Sequence, residues 1–150
     1  MMKNQFVPDN FDVPPLLETN QFRLRMLSVD DVEKDYEAVI ESRHLLHSLG
    51  SSWPREGFTL EENLADLERH QQEFLDREAF AYTVVSLDES RVLGCVYINP
   101  AESEAAEAQV LMWVRQSEYD QGLDAVLFQA VKKWIETAWP FTNVIYPGRE

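Results

Sequence analysis

Two apolar runs, Phe80-Ala81-Tyr82-Thr83-Val84-Val85 and Arg91-Val92-Leu93-Gly94-Cys95-Val96-Tyr97-Ile98, are separated only by the stretch around Leu87-Asp88-Glu89-Ser90. Both runs are rich in β-branched and aromatic residues, which suit a pleated, buried surface. A connection this short joins antiparallel neighbours, because a parallel crossover takes a dozen residues or more. A β-hairpin is the element around which the rest of the chain must be arranged.

The flanking segments read as helices and further strands. Gln21 to Leu27 alternates polar and apolar residues, the pattern of a half-buried strand. Ser28 then caps a helix that carries Val29, Val32, Tyr36, Val39 and Ile40 at helical spacing and runs to about Ser42. A loop with room for one short helical turn spans His44 to Pro54. Thr59 and Glu62 form a capping box. It opens a helix to about Arg77, with Leu60, Leu64, Leu67, Phe74 and Leu75 as its expected buried stripe. After the hairpin come an acidic loop from Asn99 to Ala106 and a strand from Glu107 to Val114. The strongest helix follows, Gly122 to Ala138, with Leu123, Val126, Leu127, Ala130, Val131, Trp134 and Ile135 along one face. Trp139-Pro140 ends it, and Asn143 to Tyr146 forms a last short strand. Residues 1–20 are an arm in which Pro8, Pro14 and Pro15 disfavour regular structure. Phe6, Phe11, Leu16 and Leu17 suggest that it packs on the domain or on a partner. The expected order is β-α-α-β-β-β-α-β, one α/β (α+β) domain over residues 21–150 with a mixed, mostly antiparallel sheet flanked by helices.

Composition narrows the function classes. A hydrophobic fraction of 45% argues for a packed core rather than disorder. No apolar run approaches the roughly 20 residues of a membrane span, and residues 1–6 contain no signal-peptide-type apolar stretch. The single Cys95 has no intrachain partner, so a cytoplasmic protein without a membrane partner is expected. A formal charge of -14 disfavours nucleic acid, whose phosphates require clustered Lys and Arg. That charge suits solubility, or an acidic cleft that draws in a cationic amine.

The element order, together with Trp113-Val114-Arg115-Gln116-Ser117-Glu118-Tyr119-Asp120-Gln121-Gly122-Leu123-Asp124, resembles the GNAT superfamily of N-acetyltransferases. In that family a fourth strand leads through a phosphate loop, Gln/Arg-x-x-Gly-x-Gly/Ala, into a central helix. Main-chain N–H groups at that helix start face the pyrophosphate of acetyl-CoA or CoA. Here Gly122 matches, Tyr119 stands where Gln or Arg is expected, and Asp124 replaces the last small residue. The resemblance implies a cofactor site made by Met112, Trp113, Val114, Tyr119, Gln121, Gly122, Leu123 and Asp124. It also implies that the fifth strand splays away from the fourth. Family members usually continue with another helix and two strands that often carry a Tyr acid. The sequence runs to Glu150, so that Tyr is not expected here.

Glu107, at the start of the fourth strand, matches a family general base; a solvated strand end accounts for it equally. His47 and Trp53 sit in the loop expected to shape the acceptor site, with His44 beside them. Their histidines have a pKa range suited to base work, but no third ligand type clusters with them for a metal. No Gly-x-Ser-x-Gly, Walker loop or HExxH is present. Three readings remain open. One is an acetyl-CoA-dependent N-acetyltransferase acting on a small-molecule or peptide amine. The second is a non-catalytic relative that binds a ligand or protein. The third is a homodimer paired through its C-terminal edge strand and Phe-rich arm.

Overall fold

The computed structural model describes residues 5–149; the first four residues of the expected arm and Glu150 lie outside it. Six strands form one sheet in chain order: β1 (Leu16–Glu18), β2 (Arg23–Met26), β3 (Phe80–Val85), β4 (Val92–Pro100), β5 (Ala108–Val114) and β6 (Val144–Ile145). Neighbours are antiparallel except β5 and β6, which are parallel. Every residue of β3 is buried, so the hairpin identified in the sequence is the covered centre of the sheet.

Alternation along β4 and β5 sends side chains to two clusters. Cys95 and its cross-strand partner Trp113 pack with Leu27, Val39 and Leu67. Val96 and its partner Met112 pack with Leu127, Val131 and Ile135. The first cluster belongs to α1 (Val32–Glu41), α2 (Arg43–Ser48) and α3 (Leu60–Leu75). The second belongs to the helix α5 (Leu123–Ala138). A 3-10 turn at Val29–Asp31, capped by the Ser28 side chain, leads into α1. Thr59 and Glu62 make the expected capping box, with the Glu62 amide donating to Thr59 Oγ1 at 3.1 Å and the Thr59 amide to Glu62 Oε1 at 3.2 Å.

Four sequence expectations change. Leu16–Glu18, expected as irregular arm, adds an edge strand on β2, because Pro14 and Pro15 end just before it and leave its amides free to pair. The rest of the arm packs on its own domain: Phe6 stacks on Phe80 and Phe141, and Tyr82 donates to the Pro14 carbonyl at 2.6 Å. Second, α3 buries Asn63 and Leu67, while Leu64 and Leu75 are exposed. Its inward face is rotated from the leucine count towards a polar residue. Third, Val126 of α5 is exposed. Fourth, the expected phosphate loop contains a short helix, α4 (Gln116–Asp120).

Arg115 fixes that connection. Its side chain is 4% exposed and donates to Glu41, to Glu37 and to the Val92 carbonyl. Glu41 also accepts from the Ser117 amide and hydroxyl. The β5–α4 turn is thereby tied to α1, which sets where α5 begins. No helix is long and apolar enough to cross a membrane among the described residues.

Candidate active-site cleft

β6 pairs with β5 only at Ala108–Val144 and Gln109–Ile145. Beyond those pairs the two segments diverge. From Val110 to Val114 no strand among the described residues lies on that side of β5. A cleft of about 760 Å³ opens there. Leu111, Met112 and Trp113 of β5 form one wall. Asp35 of α1 and Asn63, Asp66, Leu67 and His70 of α3 form another. Trp53 closes it from the α2–α3 loop, and Tyr119, Asp124 and residues 147–149 form the far end.

At that far end, α5 starts after Gly122, whose φ of 87° lies in the left-handed region where only glycine is unstrained. A Cβ built there would touch nothing, and no side chain caps the helix. The first-turn amides are therefore not taken by a capping side chain, the condition an anion requires. Asp124, which the sequence alone sets as a bare negative charge at this point, is paired. Arg149 grips it with two bonds of 2.8 and 2.9 Å and donates to the Met112 carbonyl at 3.1 Å. The Arg149 guanidinium also lies 5.4 Å from the centre of the Phe128 ring.

The α1–α3 end is polar and aromatic. Asp35 is 4% exposed, and its Oδ2 accepts from Asn63 at 2.9 Å. Burial raises its pKa to about 6; Asp31 and Asp66 add to this, and the Asn63 bond opposes it. Trp113 donates its indole N–H to Tyr97 at 3.1 Å, and burial holds the Tyr97 hydroxyl well above its ordinary range. Trp53 donates to Asp66 at 3.3 Å, with its ring 6.2 Å from that of Trp113. His70 lies 5.3 Å from the Tyr97 ring, and burial lowers its pKa. Its Nδ1 is 3.4 Å from Glu73, and Arg69 approaches Nε2 at 3.4 Å. These partners assign the proton to Nδ1 and leave Nε2 as the acceptor.

Of the residues expected at the site, Met112, Trp113, Tyr119, Asp124 and Trp53 line this cleft. Gly122 lies at its helical end. The others fall elsewhere. Val114 and Leu123 are buried in the main core, and Gln121 is an exposed residue that caps α4. His47 does not line the cleft: its Nε2 bonds the Pro54 carbonyl at 2.7 Å, which requires it to donate, and His44 is exposed. Glu107 lies on another groove, beside Phe6 and Arg77. Its Oε1 accepts from the Thr142 amide and hydroxyl and from the Asn143 amide. Those bonds, the Thr142 hydroxyl first, hold its pKa low. A carboxylate spent on ordering the α5–β6 turn is a poor base, and it sits four residues from Leu111, roughly 13 Å along a strand.

The sequence reading missed Asp35, Asn63, His70, Tyr97 and Arg149. Asp35 and Asn63 carried a signal: each is a polar residue on the inward face of its helix, in phase with Val32 and Val39 and with Leu60 and Leu67. Among the described residues no group of three or more His, Cys, Asp or Glu is arranged to hold a metal ion.

No protein-family model matches the sequence, and no curated protein sequence matches it. Solved structures do match in shape. The ribosomal-protein-S5-alanine acetyltransferase of Vibrio fischeri gives a TM-score of 0.71 at 19% identity, over 90% of this chain and 73% of its own. The microcin C7 self-immunity acetyltransferase MccE, solved with acetyl-CoA and AMP, gives 0.72 at 10% identity, over 89% and 73%. RimL, the ribosomal L7/L12 alpha-N-protein acetyltransferase solved with coenzyme A, gives 0.66 at 17% identity, over 80% and 67%. At these identities the likeness is one of fold, and it agrees with the divergent β5 and β6 and the helix that begins beside them: this chain has the GNAT acetyltransferase fold.

Proposed function

We propose that this protein transfers an acyl group from a coenzyme A thioester to an amine. The observation that carries the reading is the cleft at the β5–β6 divergence, bounded by the stretch of β5 that β6 does not pair and by the uncapped start of α5. The residues present fit the cofactor: Gly122 leaves open space at the helix start, and Arg149 neutralises Asp124. Residues Gly122 to Asp124 would hold its phosphates, and Leu111 to Trp113 its arm. A bound thioester supplies an electrophilic carbonyl. His70 is suited to take the proton that the amine must lose, because burial keeps it neutral and Glu73 orients it. Trp53, Trp113 and Leu67 exclude water around the amine.

Calorimetry with acetyl-CoA is the direct test. Micromolar binding, followed by thiol release over an amine panel, supports the reading; no binding up to millimolar concentration refutes it. His70→Ala is expected to lower kcat with little change in KM for the thioester. A second reading, a non-catalytic ligand-binding protein, is favoured by the Asp124–Arg149 pair across the expected phosphate position. Asp124→Asn separates the two. It strengthens acetyl-CoA binding if Asp124 only opposes the phosphates, and leaves it undetectable if the groove takes no cofactor.

A further inference from the structure

Among the described residues two acids, Asp31 and Asp35, are buried, and they are treated differently. Asp31 is gripped by Arg25 through bonds of 2.6 and 3.0 Å. The half-buried Asp124 has Arg149, and Glu41 has Arg115. Asp35 has no cation among the described residues. Its Oδ2 accepts from the neutral amide of Asn63, and its Oδ1 has no hydrogen-bond partner there. A buried carboxylate without a counter-charge is unfavourable, and this one lines an open cleft rather than a sealed core.

The walls around it suit a cation with an apolar body. Asp35 is near enough to Tyr97 and Cys95 for its charge to raise the pKa of both. Trp113 and Trp53 stand 6.2 Å apart with their planes 56° to each other, forming an open aromatic angle. Asp66 fixes the Trp53 indole through its N–H. Indole faces attract ammonium groups, and a desolvated carboxylate forms short, strong bonds to N–H donors.

We propose that the α1–α3 end of the cleft is an ammonium pocket: Asp35, held by Asn63, receives the charged nitrogen, and Trp53, Trp113 and Tyr97 enclose an aryl or alkyl body. This rests on the acyl-transfer reading only in calling the occupant the acceptor; the pocket itself requires no cofactor. The ligand class is a monoamine in its protonated form carrying an apolar group, rather than an anion or a neutral alcohol.

The test is equilibrium binding of 2-phenylethylammonium to the full chain at pH 7.5 with no thioester present, read by calorimetry, with 2-phenylethanol as the neutral isostere. The ammonium is expected to bind at least about tenfold more tightly, the scale of one desolvated charge-assisted contact. Asp35→Asn is expected to abolish that preference. Glu68→Gln, which removes the same charge from the exposed face of α3, is expected to keep it. Trp53→Leu, a second variant that leaves Asp35 in place, is expected to weaken ammonium binding without removing the preference over the alcohol. Equal binding of amine and alcohol overturns the pocket, as does a preference that Asp35→Asn and Glu68→Gln reduce alike, since attraction would then come from overall charge. Ammonium binding without acetyl-CoA binding leaves the pocket standing and removes the acyl-transfer reading. The reverse pattern removes the pocket alone.

Discussion

Asp35→Asn should make the free protein more stable. The carboxyl is raised from 3.8 to about 6, first by burial and then by Asp31 and Asp66. A folded-state pKa above the unfolded value in an acid means that the native protein prefers the protonated form. The ionised form is therefore a burden that grows as pH rises from about 4 to about 6 and is complete above that. The rise from 3.8 to about 6, at about 1.4 kcal/mol for each tenfold change in proton affinity, sets an upper limit of about 3 kcal/mol. Asparagine keeps an oxygen to accept from Asn63 and carries no charge. Urea denaturation of both proteins at pH 4, 5, 6 and 7.5 measures the difference. It should be near zero at pH 4 and approach about 3 kcal/mol in favour of the variant at pH 7.5. A variant no more stable than the parent at pH 7.5, or a difference that does not change with pH, would refute the burden assigned to Asp35.

Arg115→Met should cost about 1–3 kcal/mol, because it frees the buried Val92 carbonyl and removes the charge-assisted bonds to Glu41; urea midpoints measure this, and hydrogen exchange should rise at residues 116–122. The Arg115 bond also depresses the Glu41 pKa to about 2. Its stabilising effect is present above the unfolded value of 4.5 and lost as pH falls through about 2, so Glu41→Gln should flatten the acid limb of a stability–pH curve. Gly94→Ala should cost about 3 kcal/mol or more, because a Cβ there collides with the Trp113 carbonyl oxygen and comes within 2.9 Å of the Val114 Cα; a normal thermal midpoint would contradict this. Glu107→Gln should lower stability by about 1 kcal/mol, through weaker acceptance from Thr142 and Asn143, and leave ammonium binding unchanged. A loss of amine binding in that variant would return Glu107 to the site.

The legible parts of the chain were those governed by local periodicity. The Phe80–Ile98 hairpin, the Thr59–Glu62 capping box and the 3.6-residue pattern of Leu123 to Ile135 each express a short-range rule, and each is present. The strand at Leu16–Glu18 was hidden because an edge strand of three residues has too few side chains to show a period. The α3 face was misassigned by about one position because its leucines outnumber its buried residues, and the inward place went to Asn63. Glu107, expected to open the fourth strand, directly precedes β5, and its partners Thr142 and Asn143 lie 35 and 36 residues away.

Amphipathic spacing, caps and turn residues determined the elements and their order, because each depends on neighbours within a few residues. They also set the position of Gly122 before α5. The tertiary structure alone decided which charges have partners. Arg149 meets Asp124 across 25 residues, Arg115 meets Glu41 across 74, and Asn63 meets Asp35 across 28. Sequence spacing cannot show that the first two carboxylates are neutralised while the third is not, since pairing energy depends on distance and burial in the folded chain. That difference, more than the departures from the family's loop pattern at Tyr119 and Asp124, is what gives the cleft a chemical character of its own.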